Sequence, residues 1–171
     1  MWGASSITMA QLRALAEDAG LGPVESVLQS GNFIVEGGAE ADNTVRIRLQ
    51  QALKEGAGLA CDLFVLGADA FTDLLAQNPM PDEAEAHPSA FLVMLLEQEP
   101  RGEQLEKFEA LCRNGERLKV RGATLYAVFP AGMGRSRLAS TLSVGKIVRG
   151  TGRNWNAMRR LAGVLSGGTC C

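Results

Sequence analysis

Two arginine-bearing stretches and one polar turn hold the residue types that chemistry requires. The first, "TGRNWNAMRR" (151–160), sets Arg153 and Asn154 at the expected start of the last helix. Unpaired N–H groups and the positive end of the helix dipole favour an anion at such a start. A cation there costs roughly 0.3–1 kcal/mol unless an anion or an acid faces it. The second stretch, "PAGMGRSR" (130–137), offers Gly132 and Gly134 to bend the backbone so that N–H groups converge. Arg135, Ser136 and Arg137 add donors beside them, and Lys146 adds a cation downstream. Arg135, Ser136, Arg137, Lys146, Arg153 and Asn154 thus form a candidate site for a phosphate or carboxylate. Gln29, Ser30 and Asn32 in "QSGN" are secondary candidates.

The same residues also have plainer uses. Trp155 shares a helical face with Met158, Ala162 and Leu165, which makes the indole a core group. Thr151 or Asn154 can accept the first N–H bonds of that helix, and Ser136 can do so for another. "QSGN" needs no ligand to explain it, because Gly and Asn are ordinary turn residues.

Other chemistries find no support. No Walker loop exists, since Ile147 follows the lysine of "VGKIV". His87 is the only histidine, and Cys61, Cys112, Cys170 and Cys171 contain no C-x-x-C pair, so no metal set is expected. No nucleophile stands beside an identifiable base, so no catalytic residue and no cofactor is assigned. Asp69 and Asp73 lie four apart, a spacing common on solvated helices. Tyr126 and Phe129 are aromatics that an RNA-binding sheet would need to expose, but no matching RNA-recognition pattern surrounds them.

Charge is unevenly distributed. Residues 1–88 carry 4 basic against 13 acidic groups, a net of −9, whereas residues 89–171 carry 13 against 6, a net of +7. After Glu109 the only acid is Glu116, among eleven cations. Such asymmetry suits an anionic partner, or mutual attraction of the two halves. No apolar run approaches the roughly 20 residues of a membrane helix, and the start lacks a secretory pattern. Reduced thiols and a cytoplasmic setting are expected.

The elements that must hold these groups follow from periodicity. Thr8 and Gln11 form a capping box for a helix whose apolar face is Met9, Leu12, Leu15, Ala16 and Ala19, ended by Gly20. Residues 24–36 read as a hairpin. Val45, Leu49, Ala52 and Leu53 line a second helix that Asp42 or Asn43 could cap. "CDLFVLG" reads as a strand, followed by a helix with Phe71, Leu74 and Leu75 inward. "NPMPDEAEAHPS" looks like a linker. "AFLVMLL" then reads as a near-continuous apolar strand, buried on both faces if it lies mid-sheet, followed by a helix with Leu105, Phe108, Leu111 and Cys112. "RLKVRG" and "TLYAVFP" form a hairpin, a helix starts near Ser136, "KIVRG" supplies a strand, and the helix of Trp155 closes the chain.

The order strand, helix, strand, strand, helix, strand, helix thus occurs twice, without its opening strand the first time. The expected class is α+β: duplicated ferredoxin-like (split βαβ) subdomains, each with an extra C-terminal helix. The expected division is residues 1–78, a linker at 79–88, and residues 89–171.

"LQSGNFIV" (28–35), "GMGRSRL" (132–138) and "TGRNWNAM" (151–158) together resemble the domain-of-unknown-function family 1697. The resemblance implies two ferredoxin-like subdomains and no established activity. Members usually begin with an apolar strand and an Arg-Gly-Ile-Asn-Val-Gly-Gly stretch, where this chain has Met1-Trp2-Gly3-Ala4-Ser5-Ser6. Three explanations stand: a start upstream of Met1, which is favoured, a strand supplied by a partner, or rearranged pairing.

The expected function is a non-catalytic binding module for a small anionic ligand, with nucleic acid as one version. The alternatives are an enzyme on a small anionic substrate between the subdomains, and a self-associating structural protein that pairs strands with another chain.

Overall fold

A computed structural model of the chain describes residues 7–27, 32–36 and 41–165. Two compact units meet in sequence between Phe71 and Thr72, the second running Thr72–Gly163. The described residues form two antiparallel sheets and seven helices. None of these helices is long and apolar enough to cross a membrane.

The first unit opens with α1 (Met9–Asp18). Its capping box is closed both ways: Gln11 N donates to Thr8 Oγ1 at 3.2 Å, and Thr8 N donates to Gln11 Oε1 at 2.9 Å. Gly20, at φ +74°, ends the helix because only glycine takes that conformation without strain. Leu21 N then reaches Ala16 O and Gly20 N reaches Glu17 O, each at 2.9 Å. The hairpin of β1 (Val24–Val27) and β2 (Asn32–Val35) pairs Val24 with Val35 and Val27 with Asn32. Helix α2 (Asp42–Ala57) turns Val45, Leu49 and Leu53 onto Leu12, Ala16, Leu21 and Val24, which closes this unit's core.

Helix α3 (Ala68–Ala76) spans the sequence boundary between the units. The second unit continues with α4 (Pro81–Ala86), β3 (Phe91–Leu96), α5 (Glu103–Glu109), β4 (Arg117–Arg121), β5 (Thr124–Val128), α6 (Arg137–Ser143), β6 (Gly150–Asn154) and α7 (Trp155–Leu165). Its sheet has the order β4-β5-β3-β6, antiparallel throughout. Strand β3 is central, so both of its faces are covered and its sequence is apolar without alternation. Met94 and Leu96 join Leu125, Ala127, Phe108, Leu138 and Leu142 on the face packed by α5 and α6. On the opposite face, Phe91 meets Trp155 edge-on with centroids 5.8 Å apart, and Tyr126 donates to Leu74 O at 2.9 Å. The edge strand β4 alternates instead: Leu118 and Val120 pack on the core, while Arg117, Lys119 and Arg121 are exposed.

Several expectations give way. Neither Asp42 nor Asn43 caps α2; the N-cap is Ala41 without a side-chain bond. The Asp42 carboxylate instead accepts from Gly67 N at 2.9 Å and ties down the segment before α3. "CDLFVLG" joins no ladder among the described residues, although Leu59, Cys61, Leu63 and Val65 pack against the first core at alternate positions. Its period of two reports an extended chain, which is not sufficient for a strand without a partner edge. Residues 79–88, expected as a linker, carry α4, with Met80 and Ala84 buried. Leu111 and Cys112 lie past the end of α5, in a turn that still packs on the second core. The last strand is not "KIVRG" but β6, which begins at Gly150. The first six residues, which stand in place of the family's opening strand, lie outside the described residues.

Candidate functional site

The Pro130–Ser136 loop is built by its turn chemistry. Gly132 N donates to Phe129 O at 2.9 Å, and Ser136 N to Met133 O at 3.1 Å. This turn delivers the buried Ser136 to the N-cap of α6, where its Oγ accepts from Ala139 N at 3.2 Å. With Ser136 held inward, its neighbours Arg135 and Arg137 are both exposed. Neither forms an ion pair or a side-chain hydrogen bond among the described residues. Most cations of this unit are engaged: Arg101 with Glu99, Lys107 with Glu103, Arg117 with Glu83, Arg149 with Glu97 and Arg159 with Glu85. Arg121 donates to Gln77 O at 2.7 Å.

The other expected members separate. Lys146 is exposed beyond the far end of α6, whose seven residues span about 10 Å at the usual rise. Arg153 is not at a helix start, because Thr151, Gly152 and Arg153 belong to β6. It stands directly opposite Val93 in the ladder, so the two side chains share a face. That face is the one of Phe91 and Trp155, whereas α6 covers the other. Arg153 is half-buried and donates to Thr151 Oγ1 at 3.0 Å and to Gly152 O at 2.8 Å; burial lowers its pKa. Asn154 caps α7, its Oδ1 accepting from Ala157 N at 2.9 Å. Trp155 is a core residue whose Nε1 donates to Glu85 Oε1 at 3.0 Å. Gln29 and Ser30 lie outside the described residues, and Asn32 begins β2.

A groove of about 530 Å³ lies between α6 and the β3–β6 pair. Its lining is Leu92, Met94, Met133, Ala139 and Leu142, the glycines Gly134, Gly150 and Gly152, the serines Ser140 and Ser143, and Thr151, whose side chain shares the other face of the sheet with Leu95 and Arg153. None of the six candidate residues lines it, but Gly134 precedes Arg135 and Ser140 lies one turn from Arg137. The floor exists because two residues lack side chains. A Cβ on Gly150 would stand 2.4 Å from Leu95 O, and one on Gly152 would stand 2.9 Å from Leu92 Cδ1.

Glu116, singled out above only as the last acid, is buried behind this loop. One oxygen accepts from Asn114 N, while Oε1 completes no hydrogen bond. Burial pushes the carboxyl's pKa upward, but the Ser136 hydroxyl and the N–H groups of Asn114, Glu116 and Arg113 outweigh it and leave it lowered. Its isolation among eleven cations was the sequence signal that could have marked it. Tyr126 and Phe129 are buried, so neither is presented for base stacking. His87 is exposed at the end of α4, and no metal-holding group of three or more ligands occurs among the described residues. Burial raises the Cys61 and Cys112 thiols, aided by Asp62 for the former and by Glu116 and Glu109 for the latter. Both are therefore poor nucleophiles at neutral pH. Asp69 and Asp73 are exposed on α3.

A family model described as "Protein of unknown function (DUF1697)" matches residues 2–126. The match ends before the stretches at 132–138 and 151–158. No curated protein matches the chain. Among solved structures, conserved bacterial protein SP0830 from Streptococcus pneumoniae is similar with a TM-score of 0.69 and 20% identity, over 96% of this chain and 92% of that one. A likeness at that identity shows the fold alone.

Proposed function

The chain belongs to the DUF1697 family, whose description assigns no activity, and from that premise we propose that its second unit is a non-catalytic module binding a phosphate- or carboxylate-bearing ligand. The observation that carries this reading is the pair Arg135 and Arg137, exposed and without a partner among the described residues on either side of a fixed Ser136. Two guanidinium groups with no ion-pair partner among the described residues favour an anion, and their planar forks suit its oxygens. Lys146 adds to the potential from the far end of α6, and Arg153 acts from the other face of the sheet. Asn154 has a structural use.

Titration with inorganic pyrophosphate at low salt tests the reading. Amide resonances of residues 134–138 should move in the native protein and stay still in Arg135→Gln/Arg137→Gln. Unmoved resonances in the native protein would reject it. The nucleic-acid version predicts oligonucleotide binding whose logarithm falls with log salt by about 0.7 per phosphate contacted; salt-independent binding, or none, rejects that version.

We also infer that the second unit is ferredoxin-like and the first its diverged copy, the copies lying before residue 79 and after residue 88. The succession β3-α5-β4-β5-α6-β6 and its strand order support the first statement, and the parallel order α1-β1-β2-α2 supports the second. Superposing α1-β1-β2-α2 on α5-β4-β5-α6 tests the duplication. A shared chain path supports it, and unrelated helix crossings reject it.

A further inference from the structure

Resting on the anion reading above, we propose that the ligand is amphiphilic: its apolar body lies in the groove between α6 and β6, and its anionic head meets Arg135 and Arg137 at the rim. The chemical class is an alkyl or aryl carboxylate or phosphate, rather than a bare inorganic ion.

The groove is the right size and the wrong polarity for an ion. Its volume of about 530 Å³ falls within the roughly 300–1,000 Å³ of small-molecule sites. Its floor is Leu92 and Met94, with the glycines of β6 leaving the sheet bare beside them. The two serine hydroxyls of the lining already donate within α6. Ser140 Oγ donates to Arg137 O at 3.0 Å, and Ser143 Oγ donates to Ser140 O at 2.9 Å. The Thr151 hydroxyl lies on the other face of the sheet, where it accepts from Arg153 Nη1 at 3.0 Å. An anion placed wholly inside would lose its water for apolar contacts, which is strongly unfavourable. An apolar chain gains by entering, and the charge it carries finds its complement at the rim, where Met133 and Gly134 of the lining run directly into Arg135.

The test uses the full chain with methyl-labelled methionine and a series of straight-chain carboxylates from butanoate to decanoate, kept below their micelle concentrations. Affinity should rise about two- to fourfold for each added methylene, as burial of an apolar carbon requires. The Met94 and Met133 methyl resonances should shift, while those of Met80 and Met158, buried elsewhere, stay put. Arg135→Gln/Arg137→Gln should weaken every member of the series by a similar factor, ten or more. Pyrophosphate binding with no gain along the carboxylate series overturns this proposal and spares the anion reading. Decanol binding as tightly as decanoate, unaffected by the arginine substitutions, overturns the coupling of groove and rim. Binding of neither pyrophosphate nor any carboxylate overturns both readings.

Discussion

Replacing Gly150 by alanine probes the contact on which both the second sheet and its groove depend. The added methyl would stand 2.4 Å from Leu95 O, 2.9 Å from Met94 Cε and 3.0 Å from Leu96 Cδ2. The two side-chain atoms can swing away. The carbonyl cannot, because it belongs to the central strand and is held by the ladder around it. Strand β6 must therefore recede by at least the 0.6 Å that separates 2.4 from the 3.0 Å limit for such contacts. Overpacking of this kind costs about 1–3 kcal/mol, against a gain of about 0.4–1 kcal/mol from the stiffer unfolded chain. The net expectation is a loss of about 1–2 kcal/mol, or a midpoint lower by about 2–8 °C at 2–4 °C per kcal/mol. Gly152→Ala meets only the tip of Leu92 at 2.9 Å and should cost less. Gly134→Ala meets nothing and should be neutral or slightly stabilising. Urea and thermal unfolding of the three variants, with amide exchange in β3 and β6, give the ranking. Gly150→Ala as stable as Gly134→Ala would refute the pairing of β6 with β3 and the groove built on it.

Three further expectations follow from the same contacts. Glu116 has its folded pKa lowered, so its stabilising contribution is full above the unfolded carboxylate value of about 4.3 and fades as pH falls through the folded value. Stability curves of the native protein and Glu116→Gln should therefore differ at pH 7 and converge in acid; parallel curves would contradict the assignment. Ser136→Ala removes the cap of α6 and should cost about 0.5–2 kcal/mol in urea unfolding, while Ser140→Ala, whose hydroxyl only bonds back to its own helix, should be near neutral. Trp155→Phe keeps the edge contact with Phe91 but loses the bond to Glu85, so it should destabilise by about 1 kcal/mol, and Glu85→Ala, which removes the acceptor, should remove much of that difference in a double-mutant cycle.

Local chemistry was readable wherever one residue and its near neighbours settle the matter. The capping box of Thr8 and Gln11, the stop at Gly20, the cap at Ser136 and the inward face of Trp155 all follow from spacings of a few residues. The apolar run of β3 announced a strand covered on both faces should it lie mid-sheet, and the strand order gives it that place.

What the chain alone left undecided were matters of partnership. "CDLFVLG" has the period of a strand, but a ladder needs a second edge, and no local pattern says whether one is near. Thr151, Gly152 and Arg153 look like a helix start because Asn154 is one; only β3, more than fifty residues earlier, draws them into the sheet. Once they are in a strand, the two-residue period sends Arg153 to the face away from Arg135 and Arg137, and the expected cluster divides. The groove was hidden for the same reason. It is made by side chains that Gly150 and Gly152 do not have, and an absence acquires a shape only when the neighbouring strand and helix are in place around it.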